Sequence, residues 1–145
     1  MGTQQILMIV LSVIVVGAAV AVGIQMFDTQ SNNLARLAVT SEISKFAILS
    51  QAWFRTPKLM GGGEGVFETG DVVRLMQFIN EGNDETTITT PSGQYVFATS
   101  GSQLVITGTS QMNPKIGRVV GTVNLDASDV NTGDRGISIV HFPNL

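Results

Sequence analysis

The chain holds few side chains able to do chemistry. His141 is its one histidine, and it has no cysteine. Nucleophilic catalysis needs a nucleophile and a base within reach of each other. A lone histidine inside an alternating run, Ile137 to Phe142, reads as a surface or partly packed residue. No HExxH, GxSxG or nucleotide fingerprint occurs. An enzyme is therefore not expected, and no cofactor is implied. The stretch Asp126-Ala127-Ser128-Asp129-Val130-Asn131-Thr132-Gly133-Asp134 offers oxygen ligands of the kind calcium takes, with Asp126, Asp129 and Asp134 as the carboxylates. Its spacing does not match the EF-hand loop, and Asp, Asn and Gly are also the ordinary makings of a turn. The run Gly61-Gly62-Gly63-Glu64-Gly65 lacks the Lys-Ser/Thr ending of a phosphate cradle and reads as a loop. Phe46, Trp53 and Phe54 lie near Lys45 and Arg55, but core packing accounts for the first two. With a net charge of −3 and no basic run, no nucleic-acid surface is expected.

The remaining polar residues of interest, Gln4 and Gln5, stand in an unusual setting. Met1 to Phe27 contains no Asp, Glu, Lys, Arg or His, and from Ile6 to Ile24 the only polar side chain is Ser12. About 20 apolar residues at ~1.5 Å each suffice to cross a bilayer. A secretory signal would carry a basic leading region. Its absence ahead of this run predicts either a leader removed before the apolar segment or a single-span anchor numbered from its initiator methionine. Asp28 is the first charge, and all eight Lys and Arg follow it.

Three elements follow. Residues 28–56 are expected to continue the apolar helix. No Gly or Pro occurs between Gly23 and Pro57. Ala35, Val39, Ile43, Phe46, Leu49, Ser50 and Trp53 share one arc at ~100° per residue. Pro57 stops the run, because the residue before proline resists the α conformation. One helix from about Thr3 to Arg55 would be roughly 80 Å long. Residues 57–85 form a Gly-rich connector, with a short helix expected over 70–80 and Asp71 in its first turn. In residues 86–145 the pattern turns to β. Short runs rich in Val, Ile and Thr, broken by Pro91-Ser92-Gly93 and Ser100-Gly101-Ser102, predict four or five antiparallel strands. One face of such a sheet needs a cover, and the helix stripe with Val39, Ile43, Phe46 and Trp53 can supply it. The expected class is α+β: a long N-terminal helix with an apolar first half, packed by its second half on a C-terminal antiparallel sheet.

This plan resembles a mature type IV pilin. The sequence-level signal lies in Ile6-Leu7-Met8-Ile9-Val10-Leu11 and onward to Phe27. The resemblance implies a leader peptidase, N-methylation of Met1, and assembly with identical subunits by a dedicated machinery. Gln5 departs from the family, whose fifth residue is usually Glu and is thought to pair with a neighbour's N-terminal amine. An amide oxygen can accept that hydrogen bond but brings no charge. The family's helix-breaking proline is absent, leaving Gly17 and Gly23 as the weak points, and no C-terminal disulfide can form without cysteine. Archaeal flagellins and adhesion pilins need no Glu at the fifth position, and the opening Met1-Gly2 suits them. The connector with its own short helix is closer to the bacterial plan.

The resemblance implies a structural role. The subunit would wait in the inner membrane through Ile6 to Phe27 and then pack into the core of an extracellular filament. There the small residues Gly17, Ala21 and Gly23 permit close helix approach, and Gln4 and Gln5 seek hydrogen bonds near a neighbour's N-terminus. The alternatives are an archaeal flagellin-like subunit, a pseudopilin, or a single-span anchor carrying a binding module.

Overall fold

The computed structural model describes residues 2–68, 70–71, 86–100, 102–125 and 136–143. The fold is α+β. Helix α1 runs Gly2–Arg55 without interruption. A single 3₁₀ turn follows at Lys58–Met60. Among the described residues there are then five strands: β1 Thr87–Thr89, β2 Gly93–Ser100, β3 Gln103–Ser110, β4 Arg118–Asn124 and β5 Ile137–Phe142, with a 3₁₀ turn at Pro114–Ile116 before β4. The strands pair in sequence order and every pair is antiparallel. The chain divides into two units, Met1–Leu34 and Ala35–Leu145.

In the second unit, period-2 alternation places one set of side chains on one face of the sheet. Cross-strand register aligns Ile88 with Tyr95, Phe97 with Ile106, Leu104 with Val123, and Val119 with His141. Most of that face is buried beneath the second half of α1, whose buried residues are Ala35, Val39, Ile43, Phe46, Ala47 and Ser50. The Phe46 ring meets Tyr95 and Phe97 edge-on at centroid distances of 5.1 and 5.5 Å, geometries that add to simple area burial. Ser50 is fully buried, and its hydroxyl donates to the Phe46 carbonyl at 2.8 Å, so its polarity is satisfied within the helix.

One expectation is corrected. Leu49 is 45 % exposed, and Ala47 is fully buried in its place. The covered arc is rotated towards Ala47, where a methyl-sized side chain lets the backbone sit close. The reason lies in the sheet. Gly108 and Gly121 leave two gaps beneath the helix. A Cβ at Gly108 would lie 2.8 Å from Val39 Cγ1 and 3.1 Å from Ile43 Cδ1, and one at Gly121 would overlap Ile43 Cγ2. Ile43 therefore seats in space that only glycine leaves open.

The end of α1 is closed by the glycine run. The last carbonyls of a helix lack intrahelical donors. Here the N–H groups of Gly63, Glu64 and Gly65 donate to the carbonyls of Trp53, Thr56 and Phe54 at 3.0–3.1 Å. Gly61 and Gly65 take positive φ of 83° and 84°, which L side chains resist. A Cβ at Gly63 would overlap the Trp53 ring. The run is thus a helix cap, and those three N–H groups are spent on the helix instead of a phosphate. Of the expected short helix over 70–80, Gly70 and Asp71 are helical, and the remainder lies outside the described residues. The Asp71 carboxylate accepts from the Glu68 N–H at 3.0 Å, the returning half of a capping box.

The glycine seat generates a test. Gly121→Ala is expected to destabilise the fold by ~1–3 kcal/mol, the usual cost of overpacking. Ile43→Ala alone is expected to cost ~2–5 kcal/mol. The double variant should cost clearly less than the two added together, because Ile43→Ala removes the clashing methyl. Thermal melts of the four proteins in detergent check this; strict additivity would show that the two sites do not touch.

Candidate assembly surface

Two surfaces of α1 differ in what covers them. In the first unit none of that unit's described residues does. Fifteen large apolar side chains between Ile6 and Phe27 are exposed, from 51 % at Val10 to 73 % at Met8. The helix is long and apolar enough to cross a membrane. Covering one large apolar side chain is worth ~1.5 kcal/mol or more. Across this many residues that exceeds the ~5–15 kcal/mol net stability of an ordinary domain. This surface therefore needs either lipid or other protein around it.

Within it, Gln4, Gln5, Gly17, Ala21 and Gly23 are all helical and exposed. Nothing lies within 4 Å of the position a Cβ would take at Gly17 or Gly23. Glycine inside a helix costs roughly 0.5–1 kcal/mol relative to alanine. No packing among the described residues of the first unit accounts for that cost. The Ser12 hydroxyl donates to the Met8 carbonyl at 2.8 Å, so the one polar side chain of the apolar stretch is satisfied internally. Met1 lies outside the described residues.

In the second unit Val39, Ile43 and Phe46 are buried against the sheet, as the stripe predicts. Trp53 is half-buried and meets Phe67 edge-on, with ring centroids 5.5 Å apart. His141 shares the register of the covered face, but at its margin, where it is exposed. Asp126, Asp129 and Asp134 lie outside the described residues. Among the described residues no three acidic or histidine side chains gather to hold a metal.

Sequence reasoning missed a polar latch between helix and sheet. Glu42 Oε2 accepts from the Thr90 hydroxyl at 2.7 Å, and Gln51 Nε2 donates to the Asn124 carbonyl at 3.1 Å. Partial burial pushes the Glu42 carboxyl up. The hydroxyls of Thr90, Tyr95 and Ser92 and the Lys45 ammonium outweigh that, and the carboxyl is held below its ordinary value of 4.5. Burial, with the Glu42 carboxylate beside it, pushes the Tyr95 phenol up. The Tyr95 hydroxyl lies near Glu42 but meets hydrogen-bond geometry with no partner, so Thr90 carries the directed bond. The only available signal was Glu42 itself, an acid beside the apolar arc, together with a hydroxyl-rich turn at Thr90 and Ser92.

Comparison with known protein families, with curated proteins and with solved structures finds no match to this chain.

The latch predicts a pH dependence. A carboxyl whose folded pKa is depressed contributes stability above its unfolded value and loses that contribution as pH falls through the folded one. Glu42→Gln is expected to lower the melting temperature at pH 7. The gap to the parent should close as the pH drops below 4.5. Melts taken from pH 7 down to pH 3 check this, and a gap that is constant across the range would rule out ionisation of Glu42 as its cause.

Proposed function

We propose that this chain is the repeating subunit of an extracellular filament, assembled through its N-terminal helix. The observation that carries the reading is the contrast along α1. One half is bare, uncharged and apolar, and the other is committed to a water-facing α+β unit. Before assembly the bare half resides in the membrane. During assembly one apolar surrounding replaces another, so close packing and hydrogen bonding between helices must favour the polymer. Gly17 and Ala21 stand four residues apart on one face, the small-xxx-small spacing that brings helix backbones together. Both are exposed, and no described residue of the first unit lies within 4 Å of a Cβ placed at Gly17, which supports that use. Gln4 and Gln5 supply donors and acceptors at the end of the apolar stretch, where a neighbour's backbone or amides can meet them. The resemblance to type IV pilins points the same way and implies a leader peptidase and an assembly machinery as partners.

A second reading keeps the helix as a permanent single-span anchor, favoured by the length and apolar composition of the helix alone. The two diverge on the glycines, since a monomeric anchor has no use for close helix approach. Electron microscopy of material sheared from cells producing the full chain is expected to show filaments. Gly17→Leu with Ala21→Leu is expected to reduce their yield at least tenfold, a loss of ~1.4 kcal/mol or more per subunit contact. Membrane-retained monomer without filaments supports the anchor, and normal filament yield from the double variant removes close packing at these residues.

A further inference from the structure

Five charged side chains stand on α1: Asp28, Arg36, Glu42, Lys45 and Arg55. Three are accounted for within the chain. Glu42 is held by the Thr90 hydroxyl and feels the Lys45 ammonium one turn away. Arg55 sits in the last turn, where the helix dipole favours a cation. Asp28 and Arg36 are left. Asp28 is exposed. Arg36 is half-buried, and its Nε is covered from solvent with no acceptor. Neither joins an ion pair among the described residues. A covered donor without an acceptor is costly. Of the described acids, Glu42 is nearest to Arg36 along the helix, and Thr90 already holds it. Val39 lies over Gly108, so Lys115 and Arg118, which follow β3, belong to the same end of the sheet and add only positive charge.

Asp28 and Arg36 cannot satisfy each other. Eight residues of unbroken helix separate them, ~12 Å along the axis, whereas helical side chains meet at a spacing of three or four. A second, parallel helix shifted by the same eight residues changes this. Asp28 of one copy then stands level with Arg36 of the other. Eight is the smallest shift that gives Asp28 a cation. The same shift brings Gln4 level with Ser12, the one polar side chain between Ile6 and Ile24. The Ser12 proton goes to the Met8 carbonyl, and its oxygen can still accept from an amide.

We propose that neighbouring copies of this chain pack their α1 helices in parallel with an axial offset of ~12 Å, fixed by an ion pair between Asp28 of one copy and Arg36 of the next. Apolar side chains alone let packed helices slide, and a polar pair selects one register. The paired residues differ, so the contact is heterologous. It repeats along an open series unless the rotation closes a ring. This inference rests on the filament reading, and it adds the register in which the helices meet.

Charge exchange in the full chain tests the pair, read as the yield of sheared filaments at equal subunit level in the membrane. Asp28→Arg and Arg36→Asp each set like charges together and are expected to lower the yield about tenfold or more. The two combined are expected to restore it to within about twofold of the parent. Because Arg36 is half-buried, a second measurement leaves both charges in place. Gln25 and Asn33 lie one turn before Asp28 and Arg36, and both are exposed. The chain has no cysteine of its own. Gln25→Cys with Asn33→Cys, oxidised mildly in the producing cells, is expected to give a ladder on non-reducing gels, with none beyond dimer from either single variant. A disulfide demands Cα atoms within ~7 Å. Filaments without a ladder, normal yield from the single charge variants, or an exchange that fails to restore it overturns this register and leaves the filament reading intact. A loss from Arg36→Asp with none from Asp28→Arg overturns it in favour of an anion from outside the chain, such as a lipid phosphate. No filaments from the parent chain overturns both.

Discussion

The second unit depends on the closeness of helix and sheet at Ile43. Gly108 and Gly121 remove two side chains from the centre of the covered face, and Ile43 and Val39 occupy the vacated space. Once Ile43 is seated, the 100° step of the helix decides the rest. Phe46 falls between Tyr95 and Phe97. Ala47 turns inward, and Glu42 comes to the edge where Thr90 can reach it. The same rotation turns Leu37, Ile48 and Leu49 outward. A bulkier residue at either glycine would disturb each of these together, because all share one helix phase.

A second constraint is that α1 must satisfy two surroundings with one backbone. Before Asp28 it carries no charge, and after it the charged residues begin. Its hydrogen bonds run within the helix, so the backbone is equally at home in lipid, protein or water, and side chains alone set the preference. Ser12 illustrates the rule by donating to its own helix. At the other end the rule changes. The final carbonyls leave the helix ladder, and the chain supplies Gly63, Glu64 and Gly65 to meet them. The Gly-rich run thus ends the helix by holding it, and it does so at the point where Leu59 and Met60 are left standing in solvent.

The elements with strong periodicity were legible in the sequence. The uncharged run and the stop at Pro57 announce α1 with little ambiguity, the expected four or five antiparallel strands are the five observed, and the alternating run Ile137 to Phe142 is β5. The helix phase was legible only to within one residue step, which is why Leu49 was expected where Ala47 lies. Hydrophobicity favours Leu49 for a buried arc, whereas the fit over two glycines favours a smaller side chain, and that fit is between residues more than 60 positions apart. The Glu42–Thr90 latch was invisible for the same reason. Gly61 to Gly65 was read correctly as a loop, but composition alone could not reveal that its N–H groups close the helix.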